Sequence, residues 1–182
     1  MTVHLRADEP APDFTVADHL GQPVSLARLR ESGRVVLVFL RYVGCPVCQM
    51  RFHELQSQRT QYESRGASLV VVIQSDAAAL RGHHAKRPFD LTVIPDPGKE
   101  LFALYGVERA TWGEYAAPAA LGRAAKATLA GYWHGRFDGD ERQKPADFVI
   151  DRDGRLLFVN YGRHIADNAT DRALWDVLDA AR

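Results

Sequence analysis

Two short runs of apolar residues constrain the fold of this chain more than any other feature. They occupy residues 35–40 and 69–73, and each contains only Val, Ile, Leu and Phe. Both runs are too short for a typical helix and are bounded by polar residues, which is typical of strands. Strands that are apolar at every position are buried on both faces, as in a parallel sheet covered by helices. The two runs therefore predict the centre of a layered α/β domain.

The residues around these runs predict alternating helices and strands. A helix is expected between the runs and ends at Gly66, and a later helix stops before Pro88. Gly106 is expected to close a third, short helix. In chain order, the predicted elements are strand 34–41, helix 46–65, strand 69–73, helix 76–87, strand 91–94 and helix 99–105.

The two ends of the chain predict antiparallel elements. Residues 14–16 and 24–26 flank a turn at 21–23 and predict an N-terminal hairpin. Further predicted elements are an Ala-rich helical piece at 116–130, a hairpin of strands 147–150 and 155–159, and a closing helix at 171–181. The order predicts a three-layer α/β sandwich with a mixed sheet. Residues 1–182 are expected to form one domain, with 107–144 as a helical and aromatic insert.

Composition excludes several classes of function. The chain has 182 residues, of which 46% are hydrophobic, and Lys plus Arg equals Asp plus Glu at 23 each. A formal net charge of zero gives no reason to expect binding to nucleic acid. The N-terminal sequence has no apolar stretch of signal-peptide length, and no later stretch has the length of a membrane span. We therefore expect a cytoplasmic protein that binds no membrane.

The only two cysteines, Cys45 and Cys48, form a C-x-x-C motif between the first apolar run and a predicted helix. A strand that delivers this motif to a helix N-terminus is typical of a reactive dithiol. Pro46 favours the first helical position, so Cys45 is expected to face unpaired N–H groups that stabilise its thiolate. Cys48 is expected to be more buried and to have a more ordinary pKa. The motif predicts Cys45 as the nucleophile and Cys48 as the resolving thiol.

A structural disulfide and a zinc site are two other interpretations of the cysteines. A disulfide that only staples the fold is disfavoured, because neighbouring cysteines close almost no loop. A zinc site would need ligands such as His53 and the pair His83–His84 beside the cysteines, and the chain has no second C-x-x-C. We therefore expect no metal and no cofactor. Arg41 is expected either to supply a cation to the thiolate or to be merely solvated.

At this point the sequence resembles the thioredoxin fold and, within it, the AhpC/TSA peroxiredoxin-like family. The resemblance covers roughly residues 11–181. It is carried by Ala-Pro-Asp-Phe at 11–14, by the strand, loop and helix of 35–48, and by the strand–turn–strand of 145–154. Looser motifs are similar to the peroxiredoxin-like branch that includes prostamide/prostaglandin F synthase relatives. They are the insert with Trp112, the segment 135–140, and Tyr-Gly-Arg at 161–163.

The chain departs from that family at positions that matter for chemistry. Peroxiredoxins carry Pro and Thr or Ser at the places of Val38 and Tyr42, and Arg near the place of Pro145. The Arg and Thr polarise the peroxide, whereas Pro145 is similar to the cis-proline that thioredoxins set opposite the dithiol. The tryptophan that precedes the motif in thioredoxins is missing, and so is their buried acid, expected near Phe39. The resemblance implies that Pro145, Arg41 and Tyr42 are the candidate substrate-binding residues.

These observations predict a thiol–disulfide oxidoreductase that uses Cys45 and Cys48. A thiol peroxidase for hydrogen peroxide or organic hydroperoxides is the alternative within the same class, and a non-catalytic redox-sensing module is the alternative outside it. The expected partners are a thioredoxin- or glutathione-type reductant, a protein disulfide or peroxide, and possible homodimer formation. The aromatic residues of the insert are expected to pack on the domain, although they could instead wall a substrate groove or a dimer face. These aromatic residues are Trp112, Tyr115, Tyr132 and Trp133.

Overall fold

The computed structural model describes residues 4–181 and contains a five-stranded mixed sheet. Its strand order is β5-β4-β3-β6-β7. Strands β3, β4 and β5 run parallel, whereas β6 and β7 are antiparallel to their neighbours. The strands of this sheet are β3 (Arg34–Leu40), β4 (Ala67–Ile73), β5 (Thr92–Pro95), β6 (Ala146–Ile150) and β7 (Leu156–Tyr161). The predicted three-layer α/β sandwich is confirmed.

An N-terminal hairpin and eight helices complete the described part of the chain. The hairpin consists of β1 (Thr15–Ala17) and β2 (Pro23–Ser25). The helices are α1 (Leu26–Ser32), α2 (Pro46–Ser57), α3 (Arg59–Glu63), α4 (Ala77–Lys86), α5 (Glu100–Leu104), α6 (Trp112–Tyr115), α7 (Pro118–Leu129) and α8 (Asp171–Ala180). Among residues 4–181, no helix has the length and apolar character needed to cross a membrane.

The sheet separates two apolar cores. Alternate residues of the central strand β3 face opposite sides, with Val36, Val38 and Leu40 on one face and Val35, Leu37 and Phe39 on the other. The first face packs against α2, α3, α7 and α8 and includes both cysteines. The second packs against α1, α5 and the N-terminal hairpin. Burial on both faces explains why the strand is apolar at every position.

The single helix predicted over 46–65 is wrong, because the chain forms two helices there. The break falls at Gln58, whose backbone leaves helical geometry at φ −99° and ψ 4°. The Ser57 hydroxyl donates a hydrogen bond to the carbonyl oxygen of Glu54 at 2.7 Å, an interaction that competes with the helical backbone pattern. Gly66 and Gly106 both adopt positive φ, and they follow α3 and α5 as expected.

The predicted insert is joined at its base by backbone contacts between its two ends. Arg109 and Gln143 form an isolated antiparallel bridge. Beside it, the Ala110 amide donates a hydrogen bond to the Arg142 carbonyl oxygen at 2.6 Å. Between these points the chain forms α6 and α7 and then runs without regular structure over 130–144. This irregular stretch passes over the carboxyl end of β3, where the C-x-x-C motif lies.

Candidate active site

Cys45 occupies the N-cap of α2, the position expected from Pro46. Its backbone is extended, with φ −77° and ψ 124°, and Pro46 begins the helix. The backbone amide of Cys48 donates a hydrogen bond to Sγ of Cys45 at 3.4 Å. An unpaired N–H at a helix N-terminus favours a negative charge on the atom it faces. The end of the buried strand β3 and the start of α2 thus place Sγ of Cys45 where a thiolate is stabilised.

Arg41 lies beside the dithiol and is not solvated. Its side chain is buried, and Nη2 donates a hydrogen bond to Sγ of Cys45 at 2.8 Å. The same guanidinium donates from Nη1 to the backbone carbonyl oxygen of Glu141 at 2.6 Å, and Nη1 lies 3.8 Å from the Glu141 carboxylate. A hydrogen bond from a buried cation to sulfur is a strong stabiliser of thiolate.

The two thiols share one proton. Burial opposes ionisation of Cys48, but a hydrogen bond from Cys45 and the charge of Arg41 outweigh it and lower the pKa of Cys48 to about 6. The hydrogen bond to Cys48, together with burial, raises the pKa of Cys45. Two buried sulfur atoms this close lose one proton readily and hold the second. The pair therefore carries a single negative charge near neutral pH.

Two expectations about the pair need correction. Both cysteines are almost fully buried, with exposed fractions of 1% for Cys45 and 5% for Cys48, so Cys48 is not distinguished by greater burial. The lowered pKa falls on Cys48 instead of Cys45, because Arg41 interacts with both sulfur atoms and the pair retains one proton. The donors on Cys45 are nevertheless in place, since Arg41 and the Cys48 amide both point at its sulfur atom.

Tyr42 lies beneath a histidine that the sequence gave no reason to include. The Tyr42 side chain is fully buried, and its hydroxyl lies 3.0 Å from Nε2 of His134. Nδ1 of His134 is 2.9 Å from the carbonyl oxygen of Gly135, an acceptor, so Nδ1 carries the ring proton. In neutral His134 the Tyr42 hydroxyl is therefore the donor to Nε2. Tyr42 anchors His134 above the active-site loop.

Glu141 is a second site residue that sequence reasoning missed. It belongs to the insert, 100 residues away from Arg41 in the chain. Burial raises the pKa of the Glu141 carboxyl group, and the charge of Arg41 opposes that shift. Oε1 of Glu141 is buried without a hydrogen-bond partner, 3.9 Å from Nε2 of His134. No spacing or motif in the sequence pointed to this contact.

Residues 133–141, which we call the covering segment, lie against the loop that carries Cys45 and against Arg41. The Gly135 amide donates to the Gly44 carbonyl oxygen at 2.8 Å, and Nε2 of Gln49 donates to the Trp133 carbonyl oxygen at 3.0 Å. Gly44 touches this segment so closely that a Cβ added there would overlap the carbonyl oxygen of Arg136. The contact explains why the position before Cys45 is glycine.

Pro145 does not form the cis bond expected from the thioredoxin resemblance. No cis peptide bond occurs within residues 4–181. Pro145 is buried directly before β6, and its carbonyl oxygen accepts a hydrogen bond from the Gly162 amide at 2.9 Å. The β3–β6 pairing places it near the carboxyl end of β3, since Ala146 lies opposite Phe39. The backbone contacts of Pro145 thus join β6 to the loop after β7.

A buried acid is present near Phe39, but on the neighbouring strand. Asp147 in β6 pairs with Val38 and is fully buried. Its carboxylate accepts hydrogen bonds from the Ala169 amide at 2.7 Å and from the Asn160 side chain at 2.9 Å. Burial raises the pKa of Asp147, and the charge of Arg51 opposes that shift. A search along β3 alone could not find this group.

The other sequence candidates lie outside the dithiol. Among residues 4–181, no three His, Cys, Asp or Glu side chains are placed to hold a metal ion. His53 lies near the ring of Tyr132, with ring centroids 6.3 Å apart. The expectation that the insert tryptophans pack on the domain is wrong, because Trp112 and Trp133 are 71% and 72% exposed. Trp112 instead lies under the guanidinium of Arg142 at 4.4 Å.

The chain is similar to known proteins in both sequence and fold. The AhpC/TSA family model matches residues 7–159. A candidate peroxiredoxin of Mycobacterium tuberculosis is 21% identical over 160 residues, covering 88% of this chain and 87% of that protein. The solved structure of peroxidoxin BcpB from the same organism has a TM-score of 0.69 at 22% identity and covers 98% of this chain and 99% of its own. That of a candidate thiol:disulfide interchange protein DsbE from Chlorobium tepidum has a TM-score of 0.64 at 24% identity and covers 97% and 98%.

The fold is the thioredoxin fold shared by these solved structures, and in this chain it carries a dithiol at the N-terminus of α2. Since the family model spans most of the chain, the protein belongs to the AhpC/TSA family. The family resemblance and the fold inferred from the sequence are thereby confirmed.

Proposed function

We propose that this protein is a thiol peroxidase in which Cys45 attacks the peroxide and Cys48 resolves the product. The observation that carries the proposal is the buried hydrogen bond from Nη2 of Arg41 to Sγ of Cys45, at 2.8 Å. Arg41 interacts with both sulfur atoms, so transfer of the shared proton from Cys45 to Cys48 leaves the attacking thiolate of Cys45 beside this cation. The remaining N–H groups of Arg41 can also donate to a peroxide oxygen. Arg41 therefore takes the role of the arginine that the family carries near the place of Pro145 and that this chain lacks there.

Burial of the dithiol favours a small oxidant over a protein disulfide. Cys45 is only 1% exposed, and the covering segment is hydrogen-bonded to Gly44, directly before it in the chain. A disulfide on a folded partner would have to displace the covering segment before its sulfur reached Cys45. A peroxide needs only a narrow opening. Burial therefore favours peroxide reduction, whereas the sequence alone placed disulfide exchange first.

The proposed cycle balances with a peroxide as oxidant and thiols as reductant. The thiolate of Cys45 attacks the distal peroxide oxygen, the O–O bond breaks, and the alkoxide takes a proton to leave as an alcohol. Cys45 is then a sulfenic acid, and Cys48 displaces its hydroxyl as water to form a disulfide. Two external thiols reduce that disulfide by exchange and leave as their own disulfide. Disulfide exchange is thus the second half of the cycle.

A rapid-mixing experiment tests the proposal directly. The reduced protein is mixed with hydrogen peroxide or cumene hydroperoxide, and disulfide formation is followed by quenching and mass spectrometry. We expect oxidation far faster than that of free cysteine at the same pH. The Cys48→Ser variant should react once and accumulate a sulfenic acid that dimedone traps, whereas Cys45→Ser should not react. A rate equal to that of free cysteine, together with rapid reduction of insulin disulfides, would instead establish a disulfide reductase.

The same measurements separate an enzyme from a redox sensor. An enzyme turns over many times when a thiol reductant is supplied, whereas a sensor is oxidised once and recycles slowly. We propose a thioredoxin- or glutathione-type thiol as the reductant and a cytoplasmic location, where such thiols are abundant. Homodimer formation stays a prediction, to be measured by the mass of the protein in solution.

A further inference from the structure

A cavity of about 400 Å³ lies on the outer side of the contact between Gly44 and the covering segment. Its apolar wall includes Val43, Ala79 and the ring of Trp133. Gly44 itself lines the cavity and is the residue before Cys45. Cavities of this size hold a small organic molecule. A ligand bound here would contact Gly44, which directly precedes the nucleophile Cys45 in the chain.

Three cations surround this cavity. Lys86 and Arg87 come from the end of α4 and the residue after it, and Arg136 comes from the covering segment. All three are exposed, and none forms an ion pair with another of the described residues 4–181. Asp138 is the one acid in the lining. The cavity therefore carries an excess of positive charge on a protein whose formal net charge is zero.

The pKa of a histidine in the same wall is affected by this positive charge. His83 lines the cavity beside Gly82. Burial lowers the pKa of His83, and the charges of Arg87 and Lys86 lower it further. These cations partly compensate the partial negative charge at the end of α4. Arg136 has no such role, because it belongs to no helix.

We propose that this cavity binds an organic carboxylate, with its anionic group at Lys86, Arg87 and Arg136 and its apolar body against Trp133. Two reactants of the proposed peroxidase have this chemistry. One is a hydroperoxide of a fatty acid, which would oxidise Cys45, and the other is a carboxylate-bearing thiol, which would reduce the disulfide. The inference rests on the proposed function for its catalytic consequence, but binding itself does not depend on it.

The cavity adjoins the backbone contact between Gly44 and the covering segment. The Gly135 amide donates a hydrogen bond to the Gly44 carbonyl oxygen, and both glycines line the cavity. A ligand in the cavity would therefore touch both sides of this contact.

Binding is tested first, without any reaction. Octanoate is titrated into the protein while the fluorescence of Trp133 is followed, and Trp133→Phe identifies the part of the signal that comes from this ring. We expect saturable binding that weakens as salt is raised, because surface charges are screened. Octanol is the neutral control. In the double variant Lys86→Gln/Arg87→Gln, octanoate should bind about five- to tenfold more weakly.

A matched control removes two cations elsewhere on the surface. Arg28→Gln/Lys126→Gln takes the same charge from the exposed faces of α1 and α7. This variant should bind octanoate as the unmodified protein does. Equal weakening in both double variants, or equal binding of octanol and octanoate, would overturn the proposal.

Two catalytic comparisons identify the source of the carboxylate. In the first, the rate with linoleic acid hydroperoxide is divided by the rate with cumene hydroperoxide. In the second, the rate with 3-mercaptopropionate is divided by the rate with 2-mercaptoethanol, using hydrogen peroxide as oxidant. A five- to tenfold fall of one ratio in Lys86→Gln/Arg87→Gln assigns the site to that reactant. If both ratios are unchanged while peroxide is still reduced, neither reactant is assigned to this cavity, whereas the proposed function stands.

If peroxide is not reduced by any form of the protein, the proposed function fails. The octanoate titration then still decides whether the cavity binds a carboxylate.

Discussion

The guanidinium of Arg41 donates a hydrogen bond to Sγ of Cys45 at 2.8 Å, although the two residues are separated by a loop that leaves β3 and enters α2. The same guanidinium is fixed from the other side by the backbone carbonyl oxygen of Glu141. The cation therefore cannot turn away from the sulfur atom without losing its second anchor. This relationship connects the reactivity of the dithiol to the position of the covering segment.

The pH dependence of thiol reactivity should follow the lowered pKa of the pair. Because the pKa of Cys48 is lowered to about 6, both thiols are protonated well below that pH and one is ionised above it. The rate of alkylation by iodoacetamide should therefore rise through pH 6 and level off by about pH 7.5, whereas free cysteine rises near pH 8.5. A midpoint at or above pH 8 would contradict this expectation.

Replacement of Arg41 should return the pair to ordinary thiol behaviour. In Arg41→Met the pKa of the pair should rise to at least the usual value near 8.5, so alkylation at pH 7 should slow by roughly 30-fold. The same measurement on Glu141→Gln is the control, because that variant keeps the backbone carbonyl oxygen that holds Arg41. An unchanged midpoint in Arg41→Met would show that Arg41 does not stabilise the thiolate.

A methyl group at Gly44 should force the covering segment away from Cys45. The added Cβ would overlap the carbonyl oxygen of Arg136, and overpacking of this kind costs about 1–3 kcal/mol. We expect Gly44→Ala to unfold at lower urea concentration and to expose the thiol. Its reaction with the bulky reagent dithionitrobenzoate should speed up relative to its reaction with iodoacetamide.

Gly122 provides the matched control for that substitution. It lies in α7, and a Cβ there would meet no atom within 4 Å. Gly122→Ala should therefore stabilise the protein by about 0.5–1 kcal/mol, because alanine favours a helix more than glycine does. The rates at which this variant reacts with dithionitrobenzoate and with iodoacetamide should have the same ratio as in the unmodified protein. A higher ratio in both variants would argue against a specific contact at Gly44.

A buried ion pair behind α2 should matter for stability more than any surface pair. Nη1 of Arg51 lies 2.8 Å from Oδ1 of Asp171, and the Tyr62 hydroxyl donates to the same oxygen at 2.6 Å. The Arg51 side chain is only 5% exposed, so Asp171→Ala would leave a buried cation without its principal partner. We expect a loss of about 3–5 kcal/mol in the free energy of unfolding, measured in urea.

The control for this pair is a salt bridge on α8, the helix that begins with Asp171. Arg172 and Asp176 in α8 form an exposed ion pair at 2.8 Å, which should contribute little. Asp176→Ala should therefore leave the unfolding midpoint almost unchanged. Equal losses in the two aspartate variants would mean that Arg51 finds another partner.

The sequence predicted the central strands of the sheet well because the pattern that indicates each strand lies within the strand itself. Residues 35–40 and 69–73 are apolar at every position, and both lie within buried strands of the structure. The dithiol was equally clear, since Cys45 and Cys48 are the only cysteines and precede a helix that Pro46 begins. These features depend on neighbours within a few residues.

The rest of the site could not be predicted because it depends on contacts between residues that lie far apart in the chain. Arg41 gained its role only when Glu141 and the covering segment buried it. The contact of His134 with Tyr42 could not be inferred, because the two residues lie 92 positions apart in the chain. The break at Gln58 was missed since the helix pattern continues past it on both sides.

The bridge between Arg109 and Gln143 has a consequence for how such a protein could diversify. Because the insert leaves and rejoins the domain at adjacent points, a different segment could replace residues 110–142 without breaking a strand of the central sheet. The cysteines belong to the loop after β3 and the start of α2, whereas Trp133 and Arg136 belong to the insert. A graft at this one junction would leave both cysteines in place, but it would remove the Glu141 carbonyl oxygen that holds Arg41, so the replaced segment would also change the reactivity of the dithiol.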